Sequence, residues 1–153
     1  MALNIRDLSI SSPEVESLGM IDPRFSADGG NLIPSLTITG VPSEAVELAV
    51  ILTDPDAPLP HGFTHWTVFN LPAKNGIVDS GVLAQATVGR NGMGETSYSG
   101  PQPPPGHGVH HYYFWVYALD SRVEGTPNRE EFLATYAENI VEQNRFVATF
   151  RNG

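Results

Sequence analysis

His110-His111-Tyr112-Tyr113-Phe114-Trp115-Val116-Tyr117-Ala118-Leu119 is a ten-residue run without glycine, proline or an acidic residue. Aromatic and β-branched side chains fill a pleated surface well and lose rotamer freedom in a helix, so the run predicts a strand over 110–119. Its nearly continuous apolar content predicts a central strand buried on both faces.

The segments on either side extend that reading. Residues 84–106 are rich in Gly and Pro with almost no periodicity, which predicts a long irregular loop of the kind that more often carries function than not. Downstream, Thr126 as N-cap, Pro127 at the first helical position and Glu130-Glu131 in the first turn predict the one persuasive helix, with Phe132, Tyr136, Ile140 and Val141 on its inner face. Residues 145–151 return to strand-like alternation. Toward the N-terminus, strands are expected at 3–10, at Leu36–Thr39 after the tight turn Asp28-Gly29-Gly30-Asn31, at 46–53, and at His65–Leu71, the last half-buried and ended by Pro72.

The bulk composition agrees. The chain has 153 residues, enough for one domain (1–153) with a real core, and its fifteen glycines and thirteen prolines favour short strands over long helices. Seventeen acidic against eight basic side chains give a net charge of −9, which opposes nucleic acid and anionic bilayers as partners and means that any bound anion is caught locally. The absence of cysteine removes disulfides, thiolate catalysis and sulfur-ligated metal from the list. The longest apolar run, residues 45–52, is short and contains Glu47, so no membrane insertion is expected. The opening residues lack a secretory signal pattern, and a cytoplasmic location is expected.

Acid and base groups gather in two segments. Asp54-Pro55-Asp56-Ala57-Pro58 follows a core strand, and its prolines would hold the carboxylates in place before a ligand arrives. The plainer alternative is a strand-end turn whose Asp side chains bond backbone amides. His65 opens the next strand, spaced to return beside Asp54, and an Asp–His pair would favour the protonated ring and so create a local cation. Of His110 and His111, which point to opposite faces of a strand, only one can join His65. His107 reads as a solvent-exposed bystander. Two imidazoles and a carboxylate also suit a metal, but the spacing matches no ligand motif, so no metal and no cofactor are expected. Gly100-Pro101-Gln102-Pro103-Pro104-Pro105-Gly106 reads as a rigid wall with free amides near glycine.

Five ordered blocks resemble the phosphatidylethanolamine-binding protein (Raf-kinase-inhibitor-like) family, in its bacterial and archaeal branch. They are Asp28 to Asn31 with Leu36 to Pro42, Asp54 to Pro58, His65-Trp66 with Asn70-Leu71-Pro72, Tyr98 to Pro101 with Pro103-Pro104, and Gly106 to Leu119. The resemblance implies a mainly β fold, an antiparallel β-sandwich with one or two short helices, the main one near the C-terminus. It also implies a small anion pocket at one edge. Carried over by position, Asp54 and His65 match the pocket floor, His110 the second imidazole, Tyr112 an aromatic wall, and Gly100 with Pro101 the amide-bearing loop. Asp56, Pro58 and Pro103 support the loops.

The departures from the family pattern are Ile38 for a frequent Trp, Thr64 for an aromatic residue beside the pocket histidine, Gln102 for Cys and His111 for Arg. Losing the aromatic group at 64 is expected to open or polarise one wall. Larger eukaryotic relatives carry a C-terminal segment that helps gate the pocket, and no equivalent is evident before Gly153. The expected function is binding of phosphate, phosphoethanolamine or a carboxylate-like anion, with modulation of a protein partner such as a kinase or protease, and with a homodimer among the expected assemblies. The alternative is a small acid–base enzyme, an isomerase, cyclase or hydrolase using Asp54, His65 and His110. No Ser sits in a nucleophile-elbow setting, which favours binding.

Overall fold

The computed structural model describes residues 6–153. Two antiparallel sheets face each other. The smaller has the order β1-β2-β5, from Ser9–Ser11, Leu36–Thr39 and Gly76–Val78. The larger has the order β6-β4-β3-β7-β8, from Thr87–Val88, Phe63–Leu71, Glu47–Asp54, His110–Leu119 and Ile140–Phe150. Two short α-helices, α1 (Ser80–Leu83) and α2 (Arg129–Tyr136), and two 3-10 turns, Pro23–Phe25 and Ala137–Asn139, complete the regular structure of the described residues. The antiparallel sandwich expected from the sequence is the fold observed.

Its main core lies between the sheets. Ile10, Leu36, Ile38 and Val78 meet Val50, Leu52, Trp66, Phe114 and Val116, all essentially without exposure, and Phe114 stacks on Phe146 with ring centroids 4.6 Å apart. Ile38 therefore acts as a core side chain, paired across the sheet with Ile10 and Gly76. A second cluster on the opposite face of the large sheet packs Ile51, Phe69, Tyr117 and Leu119 beneath α2. Phe132 of α2 is fully buried there, against Phe69 at 5.1 Å and Tyr117 at 5.6 Å, and burying such a ring stabilises by about 2 kcal/mol.

Several expectations change in detail. Strand β7 has the predicted bounds, but it is buried on both faces only where α2 covers it. His111 is exposed, and Tyr113 and Trp115 are half-exposed on the outer face. The first strand shrinks to Ser9–Ser11, with residues 3–5 outside the described part. Leu8 is buried but unpaired in a sheet.

Helix α2 begins two residues later than predicted. Asn128 is its cap, with Asn128 Oδ1 accepting from Glu131 N and Glu131 Oε1 accepting from Asn128 N. A glutamate three residues after the cap closes a reciprocal pair that Thr126 cannot form. Ile140 opens β8 and does not continue the helical face, because the chain tightens into a 3-10 turn at Ala137–Asn139. The stretch expected to be irregular contains the short edge strand β6, and α1 is capped by Asp79, whose side chain accepts from Val82 N.

Strand β4 is not half-buried. Seven of its nine residues are buried, because the core lies on one face and α2 on the other. Its register with β3 pairs Leu52 with Trp66 and Thr53 with Thr64, so His65 is the extra residue of a β-bulge. A bulge breaks the period of two, and here it lets His65 and Trp66 both turn toward the inter-sheet side.

Candidate functional site

At the edge of the sandwich where β3 ends and β7 begins, a cavity of about 350 Å³ opens between the loop after Asp54 and the segment 99–104. Asp54, His65 and His110 lie on its polar side, with Ser99 and Gln102. Pro58, Leu59, Phe63, Met93, Pro103 and Pro104 make the rest apolar. Each polar group has a local reason to be there. Asp54 is the last residue of β3, His110 the first of β7, and the bulge turns His65 inward.

The hydrogen bonds connect these groups differently from the expected pattern. Asp54 pairs with His110 and not with His65, with His110 Nδ1 donating to Asp54 Oδ2 at 2.6 Å and both side chains buried. The other Asp54 oxygen accepts from Asp56 N at 2.8 Å, which ties the loop back onto the strand. His65 Nδ1 lies 2.7 Å from the Ser99 carbonyl, which can only accept, so this nitrogen carries the proton and Nε2 is left as the second functional atom. Burial pushes the His65 pKa down, against the Ser99 carbonyl and the Asp54 carboxylate, which pull it up. The ring is therefore neutral at neutral pH.

His107 is not a bystander. Its Nδ1 is 2.6 Å from His110 Nε2, giving a chain Asp54–His110–His107 that runs from a buried carboxylate to an exposed ring. Asp54 fixes His110 Nδ1 as a donor, which leaves Nε2 facing His107 Nδ1. An anion that reaches His110 Nε2 must first displace His107.

The family-implied walls also move. Tyr112 is fully buried behind the cavity, its ring edge-on to His65 at 5.4 Å, and it does not line the cavity. Burial, with the Asp54 carboxylate next, holds its pKa far above the usual phenol range. Gly100 and Pro101 are also absent from the lining. Gly100 N donates to Asn31 Oδ1 at 2.7 Å and the Pro101 carbonyl accepts from Ala27 N at 3.0 Å, so this amide is spent on lacing the loop to the 25–31 turn. Tyr98 adds a bond from its hydroxyl to the Phe25 carbonyl at 2.8 Å. Pro58 and Pro103 do line the cavity.

Thr64 does not face the cavity. Phe63 supplies the aromatic wall, edge-on to His65 with centroids 4.8 Å apart. The roles of Phe63, Ser99, Met93 and His107 are not legible in the sequence because the bulge hides the facing of residues 63–65, and because the other three act through a backbone carbonyl or a loop position. The three-residue interval between His107 and His110 was the available signal. Among the described residues, no group of three His, Asp or Glu side chains is placed to hold a metal ion.

Asp56 organises the outer side of the same loop. Its Oδ2 accepts from both His111 N and His111 Nδ1, each at 2.7 Å. Partial burial pushes the Asp56 carboxyl up, but the two bonds from His111 outweigh it and the net pKa is lowered. A carboxylate whose pKa is depressed by folding contributes stability above its unfolded value, and the contribution is lost as pH falls through the folded value. Asp56→Asn should therefore lower Tm at about pH 6, by an amount that shrinks as pH falls through and below the ordinary carboxylate range. Thermal melts of both proteins across that range check it, and a constant offset at all pH values would contradict it.

Comparisons with known proteins come to the same place. The family model described as Phosphatidylethanolamine-binding protein matches residues 11–151. The chain is 37% identical to a UPF0098 protein of Methanothermobacter thermautotrophicus, over 88% of this chain and 93% of that one. It is 34% identical to a Mycobacterium tuberculosis protein with the lipoprotein name LppC, over 94% of this chain and 70% of the relative. The crystal structure of Escherichia coli YbcL, described as a member of the mammalian PEBP family, superposes with a TM-score of 0.87 at 27% identity, covering 97% of this chain and all of that one. No helix among the described residues is long and apolar enough to cross a membrane.

Proposed function

We propose, from the premise that this chain belongs to the phosphatidylethanolamine-binding protein family, that it binds a small phosphate-class anion in the cavity between β3 and β7. The observation that carries this reading is the convergence of Asp54, His65 and His110 on one side of a cavity whose remaining walls are apolar. A few placed polar groups in an apolar pocket orient a ligand, and the apolar rim of Leu59, Phe63 and Met93 accepts an organic substituent on the anion. A phosphorylated head group fits that division.

The charge state decides affinity. With His65 held neutral by burial and Asp54 spending its charge on His110, the cavity has little net attraction for an anion at neutral pH. Binding is accordingly coupled to proton uptake. Sulfate, whose charge is constant over the range, is expected to bind about tenfold more tightly at about pH 5.5 than at pH 7.5. Calorimetry in buffers of different ionisation enthalpy would show the uptake. His65→Ala and His110→Leu should each weaken binding by about tenfold, the value of one charge-assisted hydrogen bond. Affinity that rises with pH, or that ignores both substitutions, overturns the reading.

The Asp54–His110–His107 chain gives the acid–base enzyme a specific observation of its own, since a carboxylate orients an imidazole whose other nitrogen leads to solvent. Turnover of a substrate that is lost in His110→Gln while sulfate binding persists would favour that second reading.

A further inference from the structure

On its outer face β7 leaves aromatic surface that α2 does not cover. A second cavity, of about 210 Å³, opens there across the Pro55–Gly62 loop from the first, lined by Thr53, Pro55, His61, Tyr113, Trp115 and Arg129. The rings of Tyr113 and Trp115 stack with centroids 6.0 Å apart, and Trp115 Nε1 donates to Thr53 Oγ1 at 3.2 Å, which fixes the indole. The Arg145 guanidinium lies over both rings, 5.6 Å from Tyr113 and 5.1 Å from Trp115.

The charges here are unbalanced. Arg6, Arg24 and Arg90 are in ion pairs, whereas neither Arg129 nor Arg145 has an acidic partner among the described residues. Arg129 Nε is also buried without a hydrogen-bond acceptor. Asp56, on the loop that walls the cavity, is held by His111, and Glu131 by Arg90 and the helix cap. In a chain of net charge −9, a cavity holding an unpaired guanidinium and an imidazole against two ring faces is a local exception.

We propose that this cavity is a second ligand site, independent of the anion pocket, and that it takes a small aromatic carboxylate. The carboxylate accepts from the Arg129 guanidinium with His61 beside it, and the ligand ring packs on Trp115 and Tyr113. Guanidinium suits carboxylate geometry better than ammonium does, and ring contact adds selectivity over acetate.

The two tryptophans allow a direct test on the full chain, because Trp66 is sealed in the core and Trp115 lines the cavity. Benzoate is titrated while the two indole N–H signals are followed by NMR, assigned with Trp115→Phe. The expected result is a saturable shift of Trp115 alone, weaker by about tenfold in Arg129→Gln, weaker in His61→Ala, and unchanged in His65→Ala. Benzyl alcohol should give no comparable response. If Arg129→Gln proves unstable, Arg129→Lys carries the comparison, with a smaller loss expected because the charge stays and the fork is gone. Equal affinity in the folded Arg129 variant, an equal response to benzyl alcohol, loss of binding in His65→Ala, or no saturable shift at tens of millimolar each overturns the proposal.

Discussion

Asp54→Ala is expected to destabilise the protein by about 3 kcal/mol, the cost of breaking a buried pair by removing one partner. His110 Nδ1 then faces an apolar gap at 2% side-chain exposure, and the Asp56 amide loses its acceptor as well. For a domain of this size, the loss corresponds to a fall in Tm of roughly 6 to 12 °C. The double variant Asp54→Ala/His110→Leu should recover part of it, since no imidazole is then left buried without its partner, although the Asp56 amide still lacks its acceptor. A single variant that melts within about 2 °C of the parent would show that the pair adds nothing to the fold.

The other large effect comes from a residue with no side chain. A methyl group on Gly100 would sit 2.1 Å from the Phe25 carbonyl oxygen and 2.9 Å from Ala27 N. Relief requires the two segments to part, at the expense of the Ala27–Pro101, Gly100–Asn31 and Tyr98–Phe25 hydrogen bonds. Gly100→Ala is expected to cost about 3 kcal/mol, the upper range for forced overpacking. Ser99 is the adjacent residue and its carbonyl orients His65, so sulfate binding should fall together with stability. Gly81→Ala is the control: the nearest atom to its new methyl is 3.4 Å away in α1, and it should be neutral or slightly stabilising. A Gly100 variant that behaves like the Gly81 variant would refute the packing argument.

These two positions also show which parts of the molecule can be read from its sequence. The strand pattern was legible because alternation and aromatic content act locally, so β7 came out with its observed bounds and β3 within one residue. The facing of β4 was not, since a bulge is set by pairing with β3 and leaves no mark on β4 alone. The cap of α2 was misplaced because Thr126-Pro127 and Asn128 with Glu131 are both good start signals, and only the reciprocal bonds decide between them. In the cavity, side-chain chemistry pointed to Asp54, His65 and His110. Partners could not be read: which imidazole meets Asp54, or that the Gly100 amide is already taken, depends on contacts between residues 56 to 69 positions apart.

The bulge at His65 separates two kinds of inherited change. A substitution at position 64 alters the outer side of the strand and leaves the pocket's aromatic wall at Phe63 intact, so relatives can vary there without retuning the ligand. Removing Thr64 altogether would do the opposite: it would restore regular pleating and rotate the imidazole out of the cavity without changing any side chain that lines it. Gaps and insertions in β4 are therefore a stricter test of whether a related chain keeps this cavity than residue identity at position 64.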